Sequence, residues 1–157
     1  MRKKQIYKNR KLRQPDVKFD SLIVGRFINY LMLDGKKSLA EKIFYQALDY
    51  IQEITKEDPM KVFEKALENA SPLVAVASRR VGGANYQIPM EVRPERKFFL
   101  AGHWIISAAR SCKGKTMAEN LAGEIIAASK NEGAAIKKKQ DMHRVAEANR
   151  AFAHFAR

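Results

Sequence analysis

The chain has 157 residues, 46% of them hydrophobic, with a formal net charge of +13 and a pI near 10.0. A chain of this length can bury roughly two-thirds of its unfolded surface, so we expect one globular domain with or without tails. The positive charge does not suit an ordinary cytosolic enzyme and predicts a polyanionic partner, either nucleic acid or an anionic membrane. No apolar run approaches the roughly 18 residues of a membrane span, and the N-terminus lacks the apolar segment of a signal peptide. The single cysteine, Cys112, rules out an intramolecular disulfide and fits a reducing compartment.

The positive charge is concentrated at the two ends of the chain. Residues 1–18 carry a net charge of +7 and residues 137–157 a net charge of +4, which leaves +2 for everything between. Residues 41–68 are net acidic, at −3. Because residues 1–18 have no apolar period, we expect a basic arm that is disordered without a partner. A solvated tail is the alternative, but eight cations in eighteen positions favour wrapping around nucleic acid.

Three helical patterns follow the arm. The first helix has one apolar face and should end at Asp34-Gly35, where glycine is the natural left-handed cap. Lys36 and Lys37 then lie in the turn. We expect a capping box of Ser38 and Glu41 to begin the second helix. Asp58-Pro59 should begin the third, which ends at Ser71-Pro72. The apolar faces of the three helices are Ile23, Phe27, Tyr30 and Leu31; Ala40, Phe44, Ala47, Leu48 and Ile51; and Val62, Phe63, Ala66 and Leu67.

Residues 73–93 predict a β-hairpin. Four apolar residues alternate with polar ones from Tyr86 onward, the period of a strand with one covered face. Residues 82–85 tolerate positive φ as a hairpin loop requires, and Pro89 restricts its strand to an edge. Arg79 and Arg80 lead into the tip, which suggests a finger on a phosphate backbone. The alternative, more common for a lone hairpin, is a ribbon packed on the helices with a solvated tip.

The second half of the chain predicts three further helices. Arg93-Pro94-Glu95 opens the fourth, whose first turn is crowded with cations although cations disfavour a helix N-terminus. Trp104 lies beside its apolar stripe and is assigned to the core. A basic turn, residues 110–115, precedes a second capping box of Thr116 and Glu119, and residues 131–133 break the fifth helix. The last helix should carry an apolar seam of Val145, Ala148, Phe152 and Phe155. A separate polar stripe consists of His143, Arg150, His154 and Arg157.

No catalytic, metal or cofactor site is recognisable. Gly114-Lys115-Thr116 ends like a phosphate-binding loop, but Ala109 stands where the first glycine is required and no strand precedes it. The three histidines have no metal-ligand spacing with one another or with Cys112. We expect His103 to be structural, on a buried helix, and His143 and His154 to be at the surface or facing phosphates.

Cations at helix ends, in turns and in both tails are typical of a protein that binds phosphates, with an affinity that falls with salt. Without stacking platforms of the RRM type, recognition should rest on nucleic-acid shape.

Three segments stand out in order along the chain. They are Phe27-Ile28-Asn29 through Asp34-Gly35-Lys36-Lys37-Ser38, then Arg79-Arg80-Val81-Gly82-Gly83, then Ala146-Glu147-Ala148-Asn149-Arg150-Ala151-Phe152-Ala153-His154-Phe155. From about Pro15 to Arg157 the chain resembles the small-subunit ribosomal protein S-seven family of bacterial type. Residues 2–7 depart from the family's usual arginine- and glycine-rich start. The resemblance leaves a cytoplasmic ribosome and an organellar ribosome both open.

The resemblance implies a mainly α fold, a bundle of about six helices with one protruding two-stranded β-hairpin between the third and fourth. It implies primary binding to the 3′ major domain of small-subunit ribosomal RNA and nucleation of head assembly. The family lies near exit-site tRNA and the mRNA exit, beside ribosomal proteins S-eleven and S-nine. No cofactor, enzymatic activity or membrane partner is expected. The expected division is a basic arm at 1–18 and a single helical domain at 19–157, with the ribbon at about 73–93 and the last helix at about 134–156.

Charge placement and the resemblance together predict two groups of site residues. Lys36 and Lys37 match the family's basic turn, Arg79 and Arg80 match the ribbon arginines, and residues 137–144 fall on its last helix. The predicted rRNA-binding residues are Arg2, Lys3, Lys4, Lys8, Arg10, Lys11, Arg13, Lys36, Lys37, Arg93, Arg96, Lys97, Arg110, Lys113 and Lys115. The residues predicted to lie near tRNA and mRNA are Arg79, Arg80, Gly82, Gly83, Arg144 and Arg150.

Two other functions fit parts of the pattern. A basic ribbon on a helical body also suits an architectural protein that grips the DNA minor groove. An enzyme that acts on RNA is a more distant alternative. Comparing the affinity for ribosomal RNA with that for duplex DNA separates the first two hypotheses.

Overall fold

The computed structural model describes residues 15–156, without the side chains of Val81 and Ala156. Six α-helices and one hairpin follow in the predicted order, which confirms the mainly α fold with a ribbon between the third and fourth helices. The bounds are α1 Leu22–Leu31, α2 Lys37–Thr55, α3 Pro59–Ala70, β1 Val74–Val81, β2 Ala84–Glu91, α4 Pro94–Ser111, α5 Met117–Ser129, α6 Ala134–Ala148 and a C-terminal 3₁₀ helix Arg150–Ala156. The predicted contacts Arg2 to Arg13 lie outside the described residues.

The core is built around α5, which packs against α2, α3 and α4. Phe27, Phe44 and Phe63 are fully buried and meet edge to face, with Phe27–Phe63 and Phe44–Phe63 centroids 5.0 and 5.2 Å apart. Burial of each such ring stabilises the fold by about 1.5–3 kcal/mol. The three rings come from α1, α2 and α3, so they join the first half of the chain to one centre. Trp104 is half-buried against this core, as expected.

Helix α1 differs from its prediction in both its face and its end. Val24 and Ile28 are fully buried, whereas Ile23 is 41% exposed, so the buried face is rotated by about one residue. The helix ends at Leu31, and Gly35 has a φ of +74° in the turn that follows instead of capping the helix. The early end arises because Met32 already has an extended ψ of 137°.

Two predicted caps are confirmed and one is wrong. Asp58 accepts the N–H of Met60 at 3.0 Å, and Thr116 accepts the N–H of Glu119 at 3.3 Å. Ser38 lies inside α2, which begins at Lys37 with no side-chain cap, so its predicted capping box with Glu41 does not form. The residue at the cap position is Lys36. The preceding turn is tight because the N–H of Lys36 donates to the carbonyl oxygen of Leu33 at 2.9 Å.

The ribbon has a two-residue turn, shorter than the predicted loop of residues 82–85. Gly82 and Gly83 have φ values of +58° and +90°, while Ala84 pairs with Val81 and belongs to β2. Two consecutive positive φ angles suit the twist of paired strands, which is why glycine fits both positions. On the apolar face Ile88 and Val92 are buried, but Met90 is 46% exposed. The base of the ribbon packs on α6, and its tip is exposed.

The helical stretch predicted at 134–156 consists of two segments. The α-helix ends at Ala148, and the N–H of Phe152 donates to the carbonyl of Asn149 as the 3₁₀ helix begins. A 3₁₀ helix has three residues per turn, so Phe152 and Phe155 fall on one side. The predicted seam is therefore wrong in its first half, where Val145 and Ala148 are exposed and Ala146 is buried.

Candidate nucleic-acid interface

The two basic turns meet at one end of the bundle. Lys36, from the turn before α2, and Arg110, from the last turn of α4, line the same cavity of about 360 Å³. Arg110 Nη2 donates to the carbonyl oxygen of Leu31 at 3.0 Å. That carbonyl is one of those left without a helical partner at the end of α1, where a cation is also favoured by the helix dipole. Arg110 thus joins the end of α4 to the end of α1.

We call this surface the basic end, and define it as Lys36, Lys37, Arg110, Lys113 and Lys115. All five side chains are exposed. Lys37 Nζ lies 3.8 Å from Glu41 Oε1, with the lysine 55% exposed, so this ion pair is weak and can be exchanged for a phosphate. Lys36 and Arg110, from two distant parts of the sequence, are brought together at one cavity. Lys37 adjoins Lys36, and Lys113 and Lys115 follow Arg110 in the turn after α4.

A second predicted group lies at the start of α4, beside the base of the ribbon. Arg93 is the N-cap residue of α4, and its side chain and that of Arg96 line a cavity of about 350 Å³ with ribbon residues including Ala75 and Met90. The Arg96 guanidinium carbon lies 4.6 Å from the ring centroid of Phe99. Lys97 is half-buried. This group is continuous with the ribbon and does not share the cavity of the basic end.

The ribbon residues predicted to lie near tRNA are exposed but are also tied to the C-terminal segment. Arg79 Nη1 donates to the carbonyl oxygen of Phe155 at 2.7 Å. Arg80, Gly82 and Gly83 are exposed at the tip. Arg79 therefore holds the C-terminal segment in place as well as presenting a charge.

Arg144 and Arg150 lie on the C-terminal side of the ribbon and each contacts a neighbouring carboxylate. Arg144 Nη2 is 2.8 Å from Asp141 Oδ1, and Arg150 Nη1 is 3.4 Å from Glu147 Oε1. Both arginine side chains are 80% exposed, so these pairs contribute little to stability and leave the guanidinium groups open to other anions. Arg150 also lines a cavity with Met90 and Glu91 of the ribbon.

Three cations that sequence reasoning did not assign have internal contacts. Lys139 Nζ donates to the carbonyl of Asn69 at 2.6 Å, and Lys138 Nζ donates to Ser107 Oγ at 2.8 Å. Arg26 lies with its guanidinium carbon 4.5 Å from the ring centroid of Phe98. Lys138 and Lys139 thus join α6 to α4 and α3, respectively. Contacts of this kind leave no local signal in the sequence.

The three histidines lie in different surroundings. His103 is exposed on α4, whose opposite side is buried in the core, and its ring lies 4.2 Å from that of Phe99. Partial burial, then the charges of Arg110 and Arg96, lower the pKa of His103. His143 is half-buried, and its Nε2 accepts the N–H of Leu73 at 3.1 Å. His154 is exposed, as expected.

The described part of the chain contains no group of three or more His, Cys, Asp or Glu residues that could hold a metal ion. Gly114 has a φ of +90° in the turn between α4 and α5, and a helix, not a strand, precedes it. The phosphate-binding-loop hypothesis is therefore excluded by geometry. Among residues 15–156, no helix has the length and apolarity required to cross a bilayer.

Comparison with known proteins places the chain among the ribosomal proteins. The family model described as ribosomal protein S7p/S5e matches residues 1–150, and the chain belongs to this family. Proteins named small ribosomal subunit protein uS7 from Magnetococcus marinus and Chelativorans sp. are 57% and 56% identical over 141 residues, 90% of either chain in each comparison. The corresponding protein of Teredinibacter turnerae is 53% identical over the same length. The resemblance drawn from the three segments is confirmed, and membership of this family supports a structural role in the ribosome.

Proposed function

We propose that the chain is a structural component of the small ribosomal subunit that binds the 3′ major domain of its RNA and nucleates assembly of the head. The observation that carries this proposal is the basic end, where the turns before α2 and after α4 come together around Arg110. Relatives at 52–57% identity are named as proteins of the small subunit. The proposal therefore places the chain in the ribosome.

The proposed mechanism is clamping of RNA through phosphate contacts from several sides. The basic end and the group Arg93, Arg96 and Lys97 lie on the folded body, and the cations of residues 1–18 are proposed to add further phosphate contacts. Contacts to phosphates fix the orientation of a protein on RNA without reading base sequence. Recognition in this proposal comes from the shape of the folded RNA, to which spatially separated cations are complementary.

The ribbon and the C-terminal segment are proposed to reach toward exit-site tRNA and mRNA. Arg79 and Arg80 near the tip, Gly82 and Gly83 in the turn, and Arg144 and Arg150 beside it form the proposed surface. The net-acidic faces of α2 and α3 are proposed to face solvent or protein, with S-eleven and S-nine as the neighbouring ribosomal proteins. Ile54, 67% exposed on α2, gives that face one apolar position suited to a protein contact.

The test compares binding of the full chain to a 3′ major-domain RNA fragment and to duplex DNA of equal length at two salt concentrations. We expect tighter binding to the RNA at both, with an affinity that falls steeply as salt rises. Equal affinity for the two nucleic acids would contradict the proposal and favour an architectural DNA-binding protein.

A charge-matched pair of variants tests the position of the interface. Removing the charge of Lys36, Lys113 and Lys115 with glutamine should weaken RNA binding and flatten the dependence of log K on log salt by about 2 units, since each phosphate contact contributes roughly 0.7–0.9. The control removes the same charge from Lys42, Lys61 and Lys65, which are exposed on α2 and α3. Equal losses in both variants would show that net charge, not the basic end, determines affinity.

The role of the ribbon is tested separately. Replacing Arg79 and Arg80 with alanine should leave the helical circular dichroism unchanged and impair exit-site tRNA binding by reconstituted subunits more than rRNA affinity. Because Arg79 also holds Phe155, the single Arg80→Ala variant separates charge at the tip from docking of the C-terminal segment. Unfolding of the double variant would instead show that the arginine pair is structural.

A further inference from the structure

Aromatic side chains of α1 and α4 form a ring cluster outside the core. It consists of Tyr30, Phe98, Phe99 and His103, and Tyr30 lies 5.5 Å from Phe99 and 5.2 Å from His103 between ring centroids. Gly102 of α4 faces this tyrosine, and an added Cβ there would lie 3.4 Å from Tyr30 Cδ2, an ordinary van der Waals distance. Tyr30 and Phe98 pack against the core, but Phe99 and His103 are not part of that packing.

Phe99 and His103 form the outer layer of the cluster. His103 is exposed and Phe99 half-buried, and their centroids are 4.2 Å apart with planes at 47°. They are four residues apart on one helix, the spacing at which side chains meet on a helix surface. The lowered pKa of His103 favours a neutral ring at pH 7, so the pair offers aromatic surface without a positive charge of its own.

Cations stand on both sides of this pair along the same stripe of α4. Arg96 precedes His103 by seven residues and Arg110 follows it by seven, two full turns in each direction, so all three lie on one face. At 1.5 Å per residue, the backbone of each arginine is about 10 Å along the axis from that of His103. The Arg96 side chain reaches along the helix, with its guanidinium carbon 4.6 Å from the Phe99 ring centroid. Between Arg96 and Arg110, the partly or fully exposed positions of this stripe are Phe99, Leu100, His103 and Ser107, none of them acidic, while Ile106 is buried in the core.

We propose that Phe99 and His103 stack an unpaired base of the bound RNA, while Arg96 and Arg110 contact phosphates on either side of it. The inference rests on the proposed rRNA binding and deepens it, since it adds a base-stacking site to phosphate contacts. Aromatic rings take up splayed bases in single-stranded RNA because every base has a π-face. The cationic flanks of the stripe favour a polyanion over a peptide, and the partly exposed rings suit an unpaired base, whose π-face is free to stack.

The test uses the double variant Phe99→Leu and His103→Gln, which removes both rings and keeps every charge. We expect binding to the 3′ major-domain RNA fragment to weaken about tenfold, in the range of one lost base stack. The dependence of affinity on salt should stay the same because no phosphate contact is removed. The matched control is Tyr50→Leu, a half-buried aromatic on α2, which should bind like the unmodified chain.

Ultraviolet crosslinking of the unmodified complex gives an independent readout. We expect mass spectrometry to find RNA attached at Phe99 or His103. An affinity of the double variant within twofold of the unmodified chain, or crosslinks from these residues to a ribosomal protein and none to RNA, would overturn the stacking site alone. Failure of the unmodified chain to prefer rRNA would instead overturn the proposed function, and this site with it.

Discussion

Tyr86 on the ribbon and Phe152 in the 3₁₀ helix pack with ring centroids 5.0 Å apart. Phe155 joins them at 5.6 Å from Tyr86, and its carbonyl accepts Arg79, which is the register partner of Tyr86 on β1. One rung of the ribbon thus holds the C-terminal segment by two rings and one charged hydrogen bond. Ribbon and C-terminal segment therefore form one unit on the proposed tRNA side.

Replacing Tyr86 with alanine should release the C-terminal segment while leaving the bundle folded. The half-buried ring contacts neither the phenylalanine core nor α5, so the melting temperature should change little. Amide hydrogen exchange over residues 150–156 should rise, whereas Tyr86→Phe should retain the ring contacts and the protection. Unchanged exchange in the alanine variant would show that the ring packing does not hold the segment.

Gly133→Ala should destabilise the fold by about 1–3 kcal/mol. Gly133 has a φ of +95°, where an L-residue is strained, and an added Cβ would lie 2.9 Å from Glu124 Oε1. Glu124 cannot move aside freely because the same oxygen accepts the N–H of Ala135 at 2.8 Å, at the start of α6.

The matched control is Gly123→Ala, on α5, where an added Cβ meets no atom within 4 Å. That variant should be neutral or gain up to about 1 kcal/mol from helix propensity. Denaturant unfolding followed by circular dichroism measures both changes. Equal stability of the two alanine variants would contradict the clash with Glu124.

Tyr45→Phe should loosen the attachment of the segment before α1. The Tyr45 hydroxyl donates to Asp16 Oδ1 at 2.7 Å, and the other carboxylate oxygen accepts the N–H groups of Lys18 and Phe19 at 3.1 and 3.2 Å. Loss of a hydrogen bond to a charged, buried acceptor costs about 1.5–3 kcal/mol. We expect a loss in that range in denaturant unfolding, and a smaller one for Tyr50→Phe on the same helix.

The same bond has a spectroscopic signature. Burial, followed by the hydrogen bond and charge of Asp16, raises the pKa of Tyr45 to about 12. An alkaline absorbance titration of the folded chain should therefore include one tyrosine that ionises near pH 12 and is missing in Tyr45→Phe. If the absorbance titration curves of the unmodified chain and Tyr45→Phe were identical, the hydrogen bond between Tyr45 and Asp16 would be contradicted.

His143 should make the base of the ribbon sensitive to acid. Its burial, and then the charge of Lys139, lower its pKa below the ordinary 6.5, and its unprotonated Nε2 accepts the N–H of Leu73. A histidine with a lowered folded pKa contributes stability that is complete above pH 6.5 and is lost as the pH falls through the folded pKa. We expect the protection factor of the Leu73 amide, corrected for the slower intrinsic exchange at low pH, to fall as the pH falls through the folded pKa of His143.

Two histidine variants test this pH dependence. His143→Gln keeps a hydrogen-bond acceptor that does not titrate. In a plot of unfolding free energy against pH, this variant should therefore lose less stability on the acid side, the acid limb of the curve. His154→Gln, at an exposed position in the 3₁₀ helix, should leave that limb unchanged. An unaltered acid limb in His143→Gln would assign the sensitivity to other groups.

Sequence reasoning recovered the features that depend on neighbours along the chain. Asp58-Pro59 begins a helix because its cap and fixed φ act within one turn, and Gly82-Gly83 turns the ribbon because both positions need positive φ. Where local signals competed, the prediction was wrong: Ser38 has the spacing of a capping box, but the tight turn at residues 33–36 places the N-cap of α2 at Lys36, two residues earlier.

The sequence by itself determined the order and type of the elements, the polarised charge and, through three short segments, the family. Only the tertiary structure decided which cations act together, because Arg110 reaches Leu31 across 79 positions of sequence and Phe99 meets Tyr30 across two helices. It also decided that the chain after Ala148 tightens to a 3₁₀ helix, so that Phe152 and Phe155 both face Tyr86. Helix periods and caps are short-range properties of the backbone, whereas a surface site is set by the packing of elements distant in sequence.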